Sequence, residues 1–385
     1  MPDFSGTIST KLPRVGTTIF TVMSKLAAEH NAINLSQGFP DFECPSELVS
    51  AVNKAMKAGH NQYAPMPGVM KLRELIAEKT EELYGARYNP ETEITVTAGA
   101  TQAIYTAISA TIREGDEVII FEPAYDCYEP AIELNGGKTI YLQLKAPDYN
   151  INWNEVKKLV NHRTRMIIIN SPHNPTGAIL TADDMQQLEK LTNKTDIIIL
   201  SDEVYEHIIF DGHAHESMAK YPNLANRSFI ISSFGKTLHT TGWKIGYCVA
   251  PKELMTEFRK VHQFLVFATN TPMQFGIAEF LKNKSHYNEL GKFYQHKRDL
   301  FNKMLKGSRF SLVPSPGTYF QLLSYDKITS EKDADYAIRV IKENGVAAIP
   351  ISVFYHKPVY ENMLRFCFAK KDETIEKAAE ILAKI

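Results

Sequence analysis

Six short apolar runs recur between about residue 90 and residue 250, and glycine, proline, asparagine or aspartate clusters and helical patterns separate them. The runs are 94-ITVT, 117-EVIIF, 165-RMIIIN, 196-DIIIL, 228-SFIIS and 245-IGYCVA. Runs that are apolar on both faces and alternate with helices indicate a mainly parallel sheet covered on both sides. The pattern therefore predicts an α/β domain.

The last hundred residues follow a different pattern. Long helical stretches, such as 286-HYNELGKFYQHKRDLFNKML, surround a few strand candidates, which are 318-TYFQLL, 346-VAAIPI and 363-MLRFCF. This arrangement predicts a smaller α+β lobe.

The N-terminal segment contains Pro13 and the turn-rich stretch 36-SQGFPDFECP, and it looks more like an arm and a loop than a domain core. The resulting division of the chain is an N-terminal arm with part of the small domain at 1–44, a large domain at 45–285 and a small C-terminal domain at 286–385.

The composition argues against several classes of protein. The 385 residues suit two lobes, and 43 basic against 44 acidic side chains do not indicate a nucleic-acid binder. Four widely spaced cysteines fit neither a zinc ribbon nor a secreted disulfide framework. No signal-peptide pattern or membrane-spanning run of roughly 18 apolar residues is apparent. We expect a soluble, cytoplasmic protein that acts on small molecules, without nucleic-acid or membrane partners.

Unusual residues follow the carboxyl ends of the predicted strands, where ligands bind in doubly wound sheets. Gly99 opens a helix that begins with Ala100 and Thr101. Its N–H groups suit a phosphate, although small residues at such a turn also serve close packing. The loop 171-SPHNPTG is either a plain turn or a device that holds Asn174 towards a site.

Asp202 and Lys236 follow two further predicted strands. A carboxylate at the end of a buried strand needs a cation or hydrogen-bond donors, so Asp202 either caps the following helix or pairs with a positive group. A buried Lys236 would have a depressed pKa and would attack an aldehyde; the alternative is that Lys236 and Lys244 are two solvated loop lysines. An aldehyde at Lys236, a phosphate at Lys244, Ser233 and Gly99, and a cationic nitrogen at Asp202 together describe pyridoxal 5′-phosphate.

Ordered motifs extend along essentially the whole chain. They are 34-NLSQGFPDF, 61-NQYAPMPG, 92-TEITVTAGAT, 115-GDEVIIFEPAYDCYEP, 170-NSPHNPTG, 201-SDEVYEHIIFDG, 232-SSFGKTLHTTGWKIGY, 345-GVAAIPISVFY and 364-LRFCFAKK. On these motifs the sequence resembles the fold-type I, class I/II aminotransferases, within them the branch of the methionine and the kynurenine/glutamine aminotransferases. The resemblance implies a large domain with a mixed, mostly parallel sheet flanked by helices, a smaller α+β domain, pyridoxal phosphate as cofactor and a homodimer with a shared active site.

The resemblance also implies roles for individual residues. Lys236 would form the Schiff base with the cofactor and move protons, and Asp202 would pair with the pyridine nitrogen. Tyr205 and Asn174 would meet the ring phenolate oxygen, and Tyr125 would stack on the ring. The phosphate would be held by Gly99, Ala100, Thr101, Ser233 and Lys244, with Tyr63 from the other subunit. Many relatives have arginine where this chain has Lys244, and lysine there is shared with the kynurenine/glutamine branch.

The implied reaction is a ping-pong transfer of the amino group from an amino acid to a 2-oxo acid. Arg365 would clamp the substrate α-carboxylate, and Gly38 would let backbone approach it. Methionine and aromatic amino acids are the implied donors, with glutamine and kynurenine as further candidates. Phe20 and Phe39 belong either to the side-chain pocket or to the core. No motif supports a second arginine for a distal carboxylate, which argues against aspartate.

Four alternatives differ from this prediction. A cysteine S-conjugate β-lyase would use the same cofactor and differ only in expelling a leaving group. A regulator on the same fold would need an added DNA-binding module, for which the length leaves no room. A nucleotide-binding oxidoreductase would favour the G-x-G-x-x-G spacing that 98-AGATQA lacks. For metal-dependent hydrolysis, the candidate metal ligands are only His213 and His215. We expect both to be solvated loop residues, and we expect no metal site.

Overall fold

A computed structural model describes residues 6–385 of the chain. Within this range the strands are β1 (Ile33–Asn34), β2 (Ile94–Thr97), β3 (Glu117–Glu122), β4 (Lys138–Gln143), β5 (Thr164–Asn170), β6 (Ile198–Asp202), β7 (Ser228–Ser233), β8 (Gly246–Val249), β9 (Phe320–Ser324), β10 (Val346–Ala347), β11 (Ile349–Pro350) and β12 (Met363–Cys367).

The α-helices in the same range alternate with these strands in the middle of the chain and dominate its later part. They are α1 (Ile19–Glu29), α2 (Ser46–Lys57), α3 (Met70–Tyr84), α4 (Ala100–Thr111), α5 (Tyr128–Leu134), α6 (Trp153–Leu159), α7 (Ala182–Thr192), α8 (Pro222–Ala225), α9 (Phe234–Thr237), α10 (Lys252–Leu265), α11 (Thr271–Phe280), α12 (Ser285–Asn288), α13 (Leu290–Met304), α14 (Asp333–Arg339) and α15 (Asp372–Leu382).

The largest sheet has seven strands in the order β2-β8-β7-β6-β5-β3-β4. Its strands run parallel from β4 through β7, whereas β8 is antiparallel to both β7 and β2. All six predicted runs form strands of this sheet, so the predicted mixed, mostly parallel sheet is confirmed. The edge strand β4 was not predicted; only Thr139 and Leu142 of its six residues are buried, unlike the continuous apolar runs of the inner strands.

Successive residues of the inner strands contribute to different cores on the two faces of the sheet. In β5, Met166 and Ile168 belong to one core, whereas Ile167 and Ile169 belong to the other. Helix α4 packs into the first core through Ala103, Ile104, Ala107 and Ile108. Helices cover both faces, as the uninterrupted apolar runs predicted.

Two small sheets lie outside the large one. Strands β11, β12 and β9 form an antiparallel sheet, and β1 pairs in parallel with β10. The expectation of an arm and a loop at the N-terminus is corrected in part, because residues 19–29 form helix α1 and bury Met23 and Ala27. Residues 1–5, the start of the predicted arm, lie outside the described range.

The carboxyl ends of the parallel strands lie side by side, as the pairing Asn170↔Asp202 between β5 and β6 shows. Strand β7 ends at Ser233 and leads directly into the short helix α9, which contains Lys236. The fold therefore brings chain positions that are distant in sequence to one edge of the sheet. Across residues 6–385 we find no helix of the length and apolar character that a bilayer crossing requires.

Candidate active site

A cavity of about 310 Å³ opens at this edge of the large sheet. Most of the predicted site residues line it: Phe20, Gly38, Ala100, Thr101, Tyr125, Asn174, Asp202, Tyr205, Ser233, Lys236, Lys244 and Arg365. The structure thus brings together residues that the sequence distributes over more than three hundred positions.

Lys236 projects from α9 into the cavity and is half-buried. Its Nζ donates hydrogen bonds to the carbonyl of Gly38, at 3.1 Å, and to the hydroxyl of Tyr319, at 2.8 Å. Burial lowers the pKa of Lys236 to about 8, because removal from water disfavours the charged form. The amine is therefore partly neutral near physiological pH, and a neutral amine is a nucleophile and a base.

Asp202 ends β6 and is 3% exposed. Its Oδ2 accepts a hydrogen bond from the Tyr128 hydroxyl at 2.6 Å, and its Oδ1 accepts one from the backbone N–H of Val204 at 3.3 Å. Burial nevertheless raises the pKa of Asp202 to about 6. The expectation that Asp202 caps a following helix is wrong, because no helix begins within residues 203–217 and the N–H of Val204 belongs to a turn. The carboxylate faces the cavity, where a cation would stabilise its charge.

Arg365 lies in β12 and is 1% exposed. Its guanidinium donates to two neutral oxygens, Asn174 Oδ1 at 2.7 Å and Ser36 O at 3.2 Å. Its Nε has no hydrogen-bond partner among the described residues, and burial lowers the pKa of Arg365 to about 10. A buried cation with unused donors at a cavity wall is poised to bind an anionic ligand.

Aromatic rings surround the Arg365 guanidinium. Its central carbon lies 3.9 Å from the ring centroid of Phe320, 5.1 Å from that of Phe354 and 5.4 Å from that of Phe20. Stacking on aromatic faces stabilises a guanidinium and fixes its plane.

Of the two phenylalanines with open assignments, Phe20 lines the cavity, whereas Phe39 is 45% exposed and lies outside the lining.

Gly99 and Lys244 form a positively charged corner at the N-terminus of α4. Gly99 is the N-cap residue with φ of 79°, and no side chain in the described part of the chain caps the helix. A Cβ on Gly99 would lie 3.1 Å from Lys244 Cε and 3.2 Å from Lys244 Nζ, so the position requires glycine both for its dihedral angle and for space. Uncapped N–H groups and an ammonium in one corner suit a phosphate.

Two tyrosines form further walls of the cavity. Tyr205 is 2% exposed, and its ring meets that of Tyr319 edge to face at 5.1 Å. The ring of Tyr125 meets that of Tyr128 edge to face at 5.8 Å. Burial raises the pKa of both Tyr205 and Tyr125, so both hydroxyls stay protonated and act as donors.

A few predicted residues lie elsewhere. Tyr63 is 82% exposed and outside the lining of the cavity in its own chain. The expectation for His215 is wrong, because its side chain is 5% exposed and its Nε2 lies 2.8 Å from Glu203 Oε2. The fold encloses this histidine beside a buried carboxylate, whereas His213 is exposed as expected.

Sequence reasoning missed several residues of the site. Tyr128, Tyr319 and Ser36 bond directly to Asp202, Lys236 and Arg365. Tyr128 lies in the same motif as Tyr125, and Tyr319 is the second residue of the strand candidate 318-TYFQLL, so their positions were visible but their partners were not. Further unpredicted lining residues are Gln37, Ile104, Asn170, Val204, Gly235, Thr241 and Phe320.

Known proteins share this fold and this length. The family model for aminotransferase class I and II matches residues 30–382. A methionine aminotransferase of Escherichia coli is 48% identical over 376 residues, which cover 97% of each chain. Human kynurenine–oxoglutarate transaminase 1 is 33% identical over 395 residues, which cover 94% of each chain.

Two solved structures extend the comparison. A crystal structure from Escherichia coli, described as having a methionine aminotransferase function, has a TM-score of 0.97 at 47% identity and covers 98% of this chain and 100% of that chain. N-succinyldiaminopimelate aminotransferase from Mycobacterium tuberculosis has a TM-score of 0.94 at 34% identity, with coverage of 98% and 100%.

The chain belongs to the class I and II aminotransferases. It has their fold-type I architecture and is an enzyme that uses pyridoxal phosphate to transfer amino groups between amino acids and 2-oxo acids. The residues present fit this cofactor. The corner at Gly99 suits its phosphate, the buried carboxylate of Asp202 suits a cationic ring nitrogen, and the amine of Lys236 suits its aldehyde.

Proposed function

We propose that the enzyme transfers the amino group of methionine and aromatic amino acids to a 2-oxo acid, with glutamine and kynurenine as secondary donors. The observation on which this rests is the buried guanidinium of Arg365 at the cavity wall, which among the described residues donates only to neutral oxygens, because it can bind an α-carboxylate near the amine of Lys236. The similarity to a methionine aminotransferase supports the donor class. Both relatives have names that describe transamination, and this favours transamination over β-elimination as the main activity.

The lining of the cavity supports a donor with an apolar side chain. Its aromatic and aliphatic members are Phe20, Ile104, Tyr125, Val204, Tyr205 and Phe320. The cations among the described lining residues are Lys236, Lys244 and Arg365. Since each of the three has a proposed role at the reacting centre, none is left for a distal carboxylate, and we propose that aspartate is a poor donor.

Lys236 is proposed as the catalytic amine. Bound pyridoxal phosphate supplies an electron-accepting ring that stabilises negative charge on the substrate Cα. The Lys236 amine takes the Cα proton: the Cα–H bond breaks, an N–H bond forms, and the electron pair stays on the substrate side. A pKa of about 8 suits this task, because an amine near neutral pH both accepts and returns a proton.

The other polar residues are proposed to bind and orient. Asp202 would keep a proton on the ring nitrogen of the bound cofactor, and Asn174 and Tyr205 would donate to its phenolate oxygen. The Asn174 oxygen already accepts from Arg365, so its NH₂ group is the part that remains for a second acceptor. The phosphate would be held by Ser233, Lys244 and the N–H groups of Gly99, Ala100 and Thr101. Tyr125 would stack on the cofactor ring, and Gly38 would leave room for the substrate carboxylate.

A homodimer with a shared site is also proposed. Tyr63 is 82% exposed, and its ring meets that of Phe267 edge to face at 5.2 Å. Phe264, on the preceding helix, is 87% exposed. Exposed aromatic groups of this kind mark contact surfaces, so we propose that Tyr63 reaches the phosphate corner of a second copy.

The domain division and the location are proposals of the same kind. The large sheet lies within 45–285, and β1 pairs with β10, which supports assigning part of 1–44 to the small domain formed by 286–385. The balanced charge and the dispersed cysteines support a cytoplasmic location.

A panel of amino-acid donors against several 2-oxo acids tests the proposed function. We expect the highest kcat/KM with methionine or an aromatic donor and a much lower value with aspartate. Aspartate as the best donor would contradict the proposal. Pyruvate and ammonia release from a cysteine S-conjugate, without any 2-oxo acid, measures the β-lyase alternative, and a rate above that of transamination would favour it.

A further inference from the structure

The hydroxyl of Tyr319 contacts the Lys236 amine from outside the cavity. Lys236 Nζ lies 2.8 Å from Tyr319 Oη, and Tyr319 Oη lies 2.5 Å from the Gly38 carbonyl. Lys236 and Gly38 line the cavity, whereas Tyr319 does not and is completely buried. The amine therefore lies between the tyrosine hydroxyl and the cavity.

The number of hydrogens that each group carries determines the direction of each hydrogen bond. A hydroxyl has one hydrogen, and the Gly38 carbonyl is an acceptor only, so Tyr319 donates to Gly38 and accepts from Lys236. A neutral amine has two N–H bonds and one lone pair. When its two N–H groups point to Gly38 O and Tyr319 Oη, the lone pair is the part of the neutral amine that is left for the cavity, which Lys236 lines.

The Tyr319 hydroxyl is held rigidly. Its ring contacts those of Tyr205, Tyr294 and Phe320 at centroid distances of 5.1, 5.6 and 5.0 Å. Its backbone carbonyl accepts from Phe368 N at 3.0 Å. Burial also holds the pKa of Tyr319 well above its usual range, so the hydroxyl stays protonated and does not compete as a base.

We propose that Tyr319 is a positioning residue that, together with the Gly38 carbonyl, aims the lone pair of the released Lys236 amine at the substrate Cα proton. The inference rests on the proposed role of Lys236 as the base. In the step concerned the Cα–H bond breaks, the proton joins Nζ, and the electron pair remains on the substrate. Tyr319 exchanges no proton and sets only the angle of approach.

The first test uses the protein without cofactor. Competitive acetylation by acetic anhydride across a pH series, with peptide mass mapping, gives the pKa of the Lys236 amine. Tyr319→Phe removes the acceptor, which stabilises the ammonium more than the neutral amine, and should lower this pKa by about 1. Tyr294→Phe is the matched control, because it removes a buried hydroxyl that bonds to His239 and leaves the Lys236 contacts in place.

The second test follows a single half-reaction with methionine and with α-deuterated methionine. Tyr319→Phe should slow amino-group transfer by roughly 10–100-fold, which is part of the whole effect of a general base. The deuterium isotope effect should rise, because proton transfer becomes more rate-limiting, while methionine affinity stays within about twofold. Tyr294→Phe should leave the rate and the isotope effect unchanged.

The outcomes separate this inference from the proposed function. An unchanged pKa, rate and isotope effect in Tyr319→Phe, with Lys236→Ala inactive, would overturn the role of Tyr319 and leave that of Lys236 intact. Turnover by Lys236→Ala would overturn both. Phenylalanine keeps the ring contacts, so the variant should fold.

Discussion

Two buried carboxylates at the end of β6 have opposite environments. Glu206 accepts hydrogen bonds from Lys79 at 2.6 Å, Tyr84 at 2.6 Å, Tyr247 at 2.8 Å and Ser232 at 2.5 Å. Burial opposes its ionisation, but Lys79 and these donors hold the pKa of Glu206 well below its usual range. Asp202 has one hydroxyl and one backbone donor, and burial raises its pKa to about 6.

The cations of the molecule also fall into two groups, which differ in whether a carboxylate pairs with them. Lys79 is paired with Glu206, and Arg298 makes a two-point contact with Asp211 at 2.6 and 2.7 Å. Within residues 6–385, Lys236 and Arg365 donate only to neutral oxygens. The cluster around Glu206 satisfies its charges internally and stabilises the fold, whereas the cavity leaves its charges for ligands to satisfy.

The largest expected effect is on activity. Lys236→Ala should lower kcat by more than about 10³-fold, because it removes the general base and the point of cofactor attachment. The apo variant should not be less stable in urea, since no carboxylate among the described residues pairs with the lost ammonium. Steady-state turnover and an unfolding curve check both parts; full activity would refute the assigned role.

Lys79→Ala should mainly lower stability, whereas Lys236→Ala should mainly lower activity. Removing one member of a buried ion pair leaves the other charge uncompensated, and we expect a loss of about 3–5 kcal/mol in the free energy of unfolding. Urea unfolding of the apo protein measures it. A variant as stable as the wild type would show that the hydroxyl donors alone satisfy Glu206, and the contrast between the two clusters would fail.

Replacement of arginine by lysine distinguishes the two guanidinium groups. Arg365→Lys should raise KM for methionine by roughly 10–100-fold, or about 1–3 kcal/mol, because lysine cannot reproduce a two-point contact with a carboxylate. Arg298→Lys should instead reduce stability and leave KM unchanged. Steady-state kinetics and unfolding of both variants test this; an unchanged KM in Arg365→Lys would remove Arg365 from the site.

The smallest expected effect concerns pH. The folded pKa of Asp202 lies above its ordinary value of 3.8, so its protonated form contributes stability at low pH that is lost as pH rises through about 6. At pH 7 the apo Asp202→Asn protein should therefore be more stable than the wild type, by on the order of 1–2 kcal/mol. The gain should disappear below pH 4, and a gain of equal size at both pH values would exclude titration of Asp202 as its cause.

Sequence alone predicted the large sheet well, because its inner strands are apolar on both faces and leave a strong local pattern. The edge strand β4 was missed because one of its edges and part of its surface face solvent. Helix α1 was missed because Pro13 and the turn-rich loop after it dominated the interpretation of the N-terminal segment.

The site was predicted to the extent that single residues have unusual chemistry at the end of a strand. Lys236 and Asp202 were visible on that basis, and Arg365 came from the resemblance. Tyr128 and Tyr319 were not visible, because their roles depend on contacts across 74 and 83 positions of the chain. A tyrosine is also common in cores, so its type gave no signal without the fold.

The bond from Arg365 to the Asn174 oxygen also bears on how the enzyme ages. Loss of ammonia from Asn174 would leave an aspartate whose carboxylate occupies the guanidinium and blocks the seat of the substrate. The common route of this damage requires attack by the next backbone N–H on the side-chain amide. The next residue is Pro175, which has no N–H. The chain therefore places this amide, which contacts the proposed substrate-binding arginine, where spontaneous deamidation is slow.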